Sequence, residues 1–504
     1  MYTARLAGLS LSGILLTWCV LTPKKIPAII AWFRLAQFHM SRSSAIRFSI
    51  FCALLFSLAA RRKRKPLTTF GVSFLLAWWT FYRLFVVEHA RAKFQPNPFN
   101  TQVAERAALT FEIFAPTPWA FAAPGQTITC LGFSGLLDRW LGRGLEFQAE
   151  QFVGWDTNFQ VLHWVSLEVE QAVHLSFKEL NYERLQSVSR WGVVNETSNS
   201  KQPTPIVLLI HGFGESRFHP PVKRFSRRAR ELGWKAVVWS YWRWDFGETR
   251  DLADVIKHIS SSNPGSPILA VAWSAGAFTM LKYLEEFGDS TGLAAAVVLS
   301  PLMDPLAARE LCRETQNKIY SIYLNHLAKI ALTRHIKSDR TLSDEDRLRL
   351  NKLTDTFADA FELYDRFLLE LPGGFSGQKH TPSLIGPDNN TYVKPSLKTL
   401  GHYRPTTYGI DRIRIPTLFV HADDDPVVAG HLNDWDELVS LNPYLFVVTT
   451  QRGGHEGHYT GMLPGADNTW DLRVACRFLS AVLETQAEIQ HVRILIKEEL
   501  DKVK

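Results

Sequence analysis

The stretch ILAVAWSAGAFTMLKYLEEF, Ile268 to Phe287, changes its character at a single serine. Ile268 to Ala272 is a short unbroken apolar run, the pattern of a strand buried on both faces. Ala275 to Phe287 reads as a helix. Ser274 stands at the junction. A serine hydroxyl is a weak nucleophile and must be presented to a base. A strand-turn-helix elbow does this by holding the oxygen exposed above a sheet. The close crossing of strand and helix needs small side chains two positions before and after the serine. Ala272 and Gly276 fill those positions, and Ala277 follows. The helix that starts after Ser274 adds partial positive charge where an oxyanion would form. A small-Ser-small triplet that only caps a helix is the competing reading, and the strand before it favours the elbow.

The rhythm on either side matches. PIVLLI (205–210), AVVWS (236–240), AAAVVLS (294–300), PTLFVHA (416–422) and YLFVVTT (444–450) read as buried strands. Helical periodicity fills 222–232 and 248–262 between them, and 471–485 and 488–503 read as two closing helices. Strands alternating with helices of this size imply crossover units, a parallel sheet and an α/β fold. The segment from Asp304 to about Gly401 breaks the alternation and reads as a mostly helical insertion. No internal repeat is present.

Three further loops carry chemistry, each just after a strand. Ile210-His211-Gly212-Phe213-Gly214 offers glycines that let backbone approach a substrate closely. The backbone N–H groups of Phe213 and Ala275 are the expected oxyanion donors. His421-Ala422-Asp423-Asp424-Asp425-Pro426 supplies a carboxylate to orient an imidazole. Asp424 is the choice by its position before Pro426-Val427, with Asp425 the near rival and Asp304 a weaker one. Asp423 reads as a solvated turn residue. Gly453-Gly454-His455-Glu456-Gly457-His458 brings an imidazole over the sheet edge; His455 is favoured as the base, and His458 as a neighbour or a surface residue. The chain order Ser274, Asp424, His455 is the α/β-hydrolase order of a catalytic triad.

The N-terminal part has another character. Leu6 to Leu21, Ala45 to Ala60 and Phe70 to Val87 are apolar runs near the length of a membrane span. Trp78, Trp79 and Tyr82 suit an interfacial belt. Thr22-Pro23-Lys24-Lys25 is a poor cleavage site, so an uncleaved anchor is preferred to a signal peptide. The expected placement is an integral membrane protein, with the endoplasmic reticulum as a candidate. Orientation stays open, because the loops on both sides of the second run are basic. Neither Asn195-Glu196-Thr197 nor Asn389-Asn390-Thr391 settles it, since such triplets arise by chance.

Composition excludes several classes. With 504 residues, 46% hydrophobic and 21% charged, the chain is neither disordered nor fibrous. Its five cysteines show no CxxC pairs and no zinc-like spacing with histidine, so neither a disulfide framework nor a metal is expected. That favours a domain facing a reducing compartment. The net charge of +7 comes largely with the run Arg61 to Lys65 and the stretch Arg217 to Arg230. The first reads as membrane flanking and the second as a solvated helix face; no nucleic-acid motif accompanies either.

These residues resemble the AB hydrolase type 4 family of the α/β-hydrolase superfamily over roughly 116–479. The resemblance rests on PTPWAFAAPGQT (116–127), on Asp156 with Leu162-His163-Trp164, and on His211-Gly212. It continues through Gly247-Glu248-Thr249, the serine elbow, Asp424-Asp425-Pro426 and Gly454-His455-x-Gly457. Alanine replaces glycine at 272 and 277, His163 stands for an aspartate, and the loop at Tyr241 to Asp245 is shortened. The resemblance implies hydrolysis of a lipid-like ester through an acyl-enzyme, without metal or organic cofactor, with the insertion as a lid. Its implied organisation is an anchoring region (1–92) with two or three spans, then a lead-in segment and first strands (93–204). The core (205–486) follows with its lid at about 304–401, and a C-terminal helix (487–504) closes the chain. The partners expected are a lipid ester and the bilayer. An acyltransferase on the same triad and a silent lipid-binding relative are the alternatives.

Overall fold

The computed structural model describes residues 78–130, 145–165, 203–240, 249–360, 409–461 and 469–503, apart from 80, 119, 155–158, 304, 315–316, 339–341, 357–358, 429 and 431–432. In chain order its strands are β1 (Glu88–His89), β2 (Arg91–Phe94), β3 (Ile113–Phe114), β4 (Phe147–Val153), β5 (Phe159–Val165), β6 (Ile206–Ile210), β7 (Lys235–Trp239), β8 (Ile268–Trp273), β9 (Ala295–Leu299), β10 (Thr417–Ala422) and β11 (Leu445–Thr450). The helices are α1 (Pro98–Arg106), α2 (Ala123–Ile128), α3 (Pro220–Glu231), α4 (Arg250–Ser262), α5 (Ser274–Phe287), α6 (Pro305–Arg313), α7 (Lys318–Ser338), α8 (Asp344–Thr356), α9 (Trp435–Leu441) and α10 (Trp470–Val503).

Nine strands form one sheet in the order β2-β11-β10-β9-β8-β6-β7-β5-β4. The six from β11 to β7 run parallel. The β4–β5 hairpin joins one edge antiparallel, and β2 joins the other. Each apolar run read as a strand is one, within a residue at either end. Side chains of β6 alternate between two cores. Val207 and Leu209 enter one with Phe225 of α3 and Phe478 of α10. Ile206, Leu208 and Ile210 enter the other with Val255 of α4 and Leu281 of α5. Helices cover both faces, so the strands read as continuous apolar runs rather than alternating ones.

The expectation of two closing helices is corrected: α10 runs unbroken through 34 residues. Gln486 and Ala487 between the two halves are good helix formers with no glycine or proline to stop the turn.

The insertion is helical where it is described, as α6, α7 and α8; its remainder from 361 to about 401 lies outside the described residues. The apolar runs Leu6 to Leu21 and Ala45 to Ala60 also lie outside them, and the third is described only from Trp78. Among the described residues no helix is long and apolar enough to cross a membrane. The described end of the third run packs on the domain. Phe81, Tyr82 and Val86 are buried with Phe121, and the Tyr82 hydroxyl donates to the Pro116 carbonyl at 2.6 Å.

Phe446 of β11 is fully buried between the rings of Phe94 and Phe478, with centroids at 5.7 and 5.0 Å. Truncating it removes apolar contact and leaves a cavity. Phe446→Ala is expected to cost about 3–5 kcal/mol, read as a shift of the urea midpoint at unchanged slope.

Candidate active site

The elbow is built as the sequence implies. Ser274 follows directly on β8 and has φ of 49°, a left-handed conformation that costs a non-glycine residue energy. That backbone turn lifts the hydroxyl out of the sheet while the chain enters α5. Gly276 shows why the neighbours must be small. A Cβ there would lie 2.3 Å from the His211 carbonyl oxygen and 2.8 Å from that of Ile210. Ala272 sits fully buried two residues before the serine.

His455 reaches the serine from the loop after β11. Its Nε2 lies 3.0 Å from the Ser274 hydroxyl oxygen, and its Nδ1–H donates to Asp425 Oδ2 at 2.8 Å. The expected acid, Asp424, is therefore corrected to its rival Asp425. The turn after β10 points Asp425 inward, where its other oxygen accepts from the N–H groups of Val427 and Val428 at 2.8 and 3.1 Å. Asp424 turns aside and accepts from the Gly454 N–H at 2.8 Å, so it holds the histidine loop rather than the imidazole. Asp423 pairs with Arg91 on β2. Asp304 lies outside the described residues.

The electrostatics follow from this geometry. Burial alone would lower the pKa of His455, but the Asp425 carboxylate against Nδ1 outweighs it and holds the ring up at about 9. Burial pushes the Asp425 carboxyl up, and His455 together with the two backbone N–H donors holds it below its ordinary value. The pair thus favours an imidazolium beside a carboxylate, the charge state reached when the ring takes a proton from the serine.

His458 is no surface residue. It is 1% exposed, packed between Phe114 and Trp470, and bonded to Thr450 Oγ1 at 3.0 Å. Burial drops its pKa to about 3, which keeps it neutral.

Phe213 and Ala275, the expected oxyanion donors, come from two elements that meet at the serine. Phe213 lines the cleft above Ser274, and Ala275 is in the first turn of α5, where amides have no acceptor within the helix. The loop carrying Phe213 is braced by Glu215, whose carboxylate accepts from the Gly212 N–H at 2.9 Å. His211 Nδ1–H donates to the Gly212 carbonyl at 2.8 Å.

Several residues of the site had no role in the sequence reading. Thr127, at the end of the PTPWAFAAPGQT segment, accepts through Oγ1 from the His455 N–H at 2.9 Å. Gln126 beside it accepts from the Tyr459 N–H at 2.6 Å. Nothing in spacing ties 126–127 to 455–459; only the fold does. Tyr320, Tyr323, Leu324 and Leu327 of α7 roof the cleft. Glu215 and Glu456 stand in its wall beside Ser274 and His455. The helical insertion thus contributes one helix, α7, to a largely apolar roof. Tyr241 to Glu248 and Asp156 fall outside the described residues. His163, on β5, accepts from Arg217 at 3.3 Å.

A parallel sheet, an elbow serine after β8, a carboxylate after β10 and a histidine after β11 define the α/β-hydrolase class. The family model described as the alpha/beta hydrolase fold matches residues 206–461, and the chain belongs to that family. Among curated proteins the chain is similar to "Phospholipase ABHD3" of Mus musculus, 25% identical over 57% of this chain and 66% of the relative. It is also similar to "Monoacylglycerol lipase" of Saccharomyces cerevisiae, 23% identical over 56% of this chain and 60% of the relative. The match thus spans slightly less than two thirds of either relative. Among solved structures, a Pyrobaculum calidifontis esterase aligns with 70% of this chain and 90% of its own at 13% identity and a TM-score of 0.38.

Gly276→Ala tests the elbow's tolerance directly. The added methyl meets two backbone oxygens that cannot swing away. The variant is expected to lose folded protein or to melt well below the wild type, by about 1–3 kcal/mol or more, measured by thermal denaturation.

Proposed function

We propose that the chain is a membrane-bound serine hydrolase that cleaves carboxylic esters of lipid-like substrates, an acylglycerol or a phospholipid, through an acyl-enzyme. The observation that carries this reading is the continuous relay from Ser274 Oγ through His455 to Asp425. In the proposed reaction, Ser274 attacks the ester carbonyl while His455 Nε2 takes its proton. The N–H groups of Phe213 and Ala275 receive the oxyanion, and the imidazolium then protonates the leaving alcohol. Water, activated by the same ring, attacks the acyl-enzyme and frees the acid and the serine. These steps need only protein groups.

The lipid-like substrate rests on the apolar roof from α7 and on the names of the relatives, a phospholipase and a monoacylglycerol lipase. The membrane placement, with the endoplasmic reticulum as the candidate site, rests on the apolar runs ahead of residue 92. A second reading has its own support: another relative is named "Medium-chain fatty acid ethyl ester synthase/esterase 2" of Saccharomyces cerevisiae, 23% identical over 59% of this chain. An alcohol instead of water would then resolve the acyl-enzyme. Product analysis with added ethanol separates the two, since ester formation outpacing acid release is the synthase outcome.

Fluorophosphonate labelling of carbonate-washed membranes tests the main reading. The wild type is expected to label and Ser274→Ala to stay blank. A folded wild type that does not label removes the nucleophile, and label lost in the wash removes the membrane placement. The acid is tested by a pair of variants. Asp425→Asn should lower turnover by about 10³–10⁴-fold, because the amide no longer holds the ring's tautomer. Asp424→Asn retains an oxygen for the Gly454 N–H and should lower it less than about ten-fold.

A further inference from the structure

Four buried side chains outside the relay meet beside the cleft. His219, the residue that caps α3, puts Nε2 2.9 Å from Glu215 Oε1 and 3.6 Å from Glu456 Oε2. Cys130 Sγ lies 3.8 Å from the same nitrogen. One donor atom from each of Cys130, His219 and Glu456 falls within a sphere of mutual distances no greater than 4.8 Å. All four side chains are nearly or wholly enclosed. Glu456 Oε1 and His219 Nδ1 are buried without a hydrogen-bond partner among the described residues.

As an ion-pair cluster this arrangement is short of positive charge. One imidazolium faces two carboxylates, and the carboxylates face each other across it. Buried charges are retained where they are paired or where they coordinate a metal. We propose that Cys130, His219 and Glu456, with Glu215 beside them, bind one zinc-class divalent cation at the wall of the cleft.

The geometry fits. Zinc holds nitrogen and oxygen at about 2.0–2.2 Å and sulfur at about 2.3 Å in a tetrahedron, so neighbouring donors lie roughly 3.4–3.6 Å apart. The nitrogen-to-oxygen distance of 3.6 Å and the sulfur-to-nitrogen distance of 3.8 Å need adjustments of a few tenths of an ångström at most. A thiolate and an imidazole select zinc over magnesium or calcium, which take oxygen. On binding, the Cys130 thiol and His219 Nε2 each give up a proton to solvent, and the metal takes both positions. Glu215 and Glu456 line the cleft and provide the route in. The bound ion joins three stretches distant in sequence: the segment after α2, the oxyanion loop with the cap of α3, and the histidine loop. No spacing of Cys130, His219 and Glu456 along the chain announces this, because α/β crossovers separate them.

The test uses the full chain, stripped of metal with a chelator and checked for fold by circular dichroism. Titration with Zn²⁺ against a chromophoric chelator should show one equivalent bound per chain. Co²⁺ should give a thiolate-to-metal charge-transfer band in the near ultraviolet that Cys130→Ser abolishes. His219→Gln should weaken zinc binding roughly ten-fold or more. Should the variants fail to fold, the wild type alone serves: zinc-edge X-ray absorption should show one sulfur among the ligands of the bound ion. A folded wild type that binds no zinc, a band that survives Cys130→Ser, or a zinc shell without sulfur overturns the site. None of these readouts depends on ester turnover.

Discussion

The crossing of α5 over the end of β6 governs the rest of the molecule. Gly276 lies so close to the carbonyls of Ile210 and His211 that no side chain fits between them. This contact fixes where the helix leaves the sheet, and Ser274 has to adopt a positive φ to make the turn. The same contact sets the start of the oxyanion loop, because His211 is both the residue touched and the first residue after β6. Nucleophile and oxyanion donors are thus positioned by one piece of packing. The cost of the left-handed serine is offset by the two fully buried cores that pin β6, β8 and α5.

The histidine loop is held by other means. No helix or strand runs through it, and polar ties to its backbone hold it, three of them from side chains of the lead-in segment and the acid turn. Thr127 takes the His455 N–H, Asp424 takes the Gly454 N–H, and Gln126 takes the Tyr459 N–H. Gly454 needs its positive φ of 61°, and Thr127 Oγ1 would lie 2.5 Å from a Cβ there. The lead-in segment before the sheet is therefore part of the site. Adjacent aspartates divide the labour: Asp425 orients the imidazole and Asp424 orients the backbone that carries it.

What could be read from the chain follows from how local each signal is. The strands were legible because both faces of the parallel sheet are buried, which leaves unbroken apolar runs such as Ile206 to Ile210. The elbow was legible because its steric demand falls on residues within two positions of Ser274. The choice between Asp424 and Asp425 was not, since neighbouring residues on a turn differ in direction by an angle that only the surrounding contacts set. Nor were Thr127 and Glu456, whose partners sit in other loops. His458 read as a neighbour or surface residue because its burial comes from Phe114 and Trp470, both remote in sequence.

The roof over the cleft completes this dependence. Leu327 of α7 rests on Gly214, where a Cβ would meet its side chain and carbonyl at 2.8 Å. Arg334, further along the same helix, donates to the carbonyls of Gly214 and Glu215 at 3.4 and 3.2 Å. Glu215 in turn holds the Gly212 amide and the His219 ring. Lifting α7 off the cleft would therefore break contacts to the loop that carries the proposed oxyanion donor Phe213. The roof of the cleft and the shape of that loop are coupled through Gly214, so a displacement of one is felt by the other.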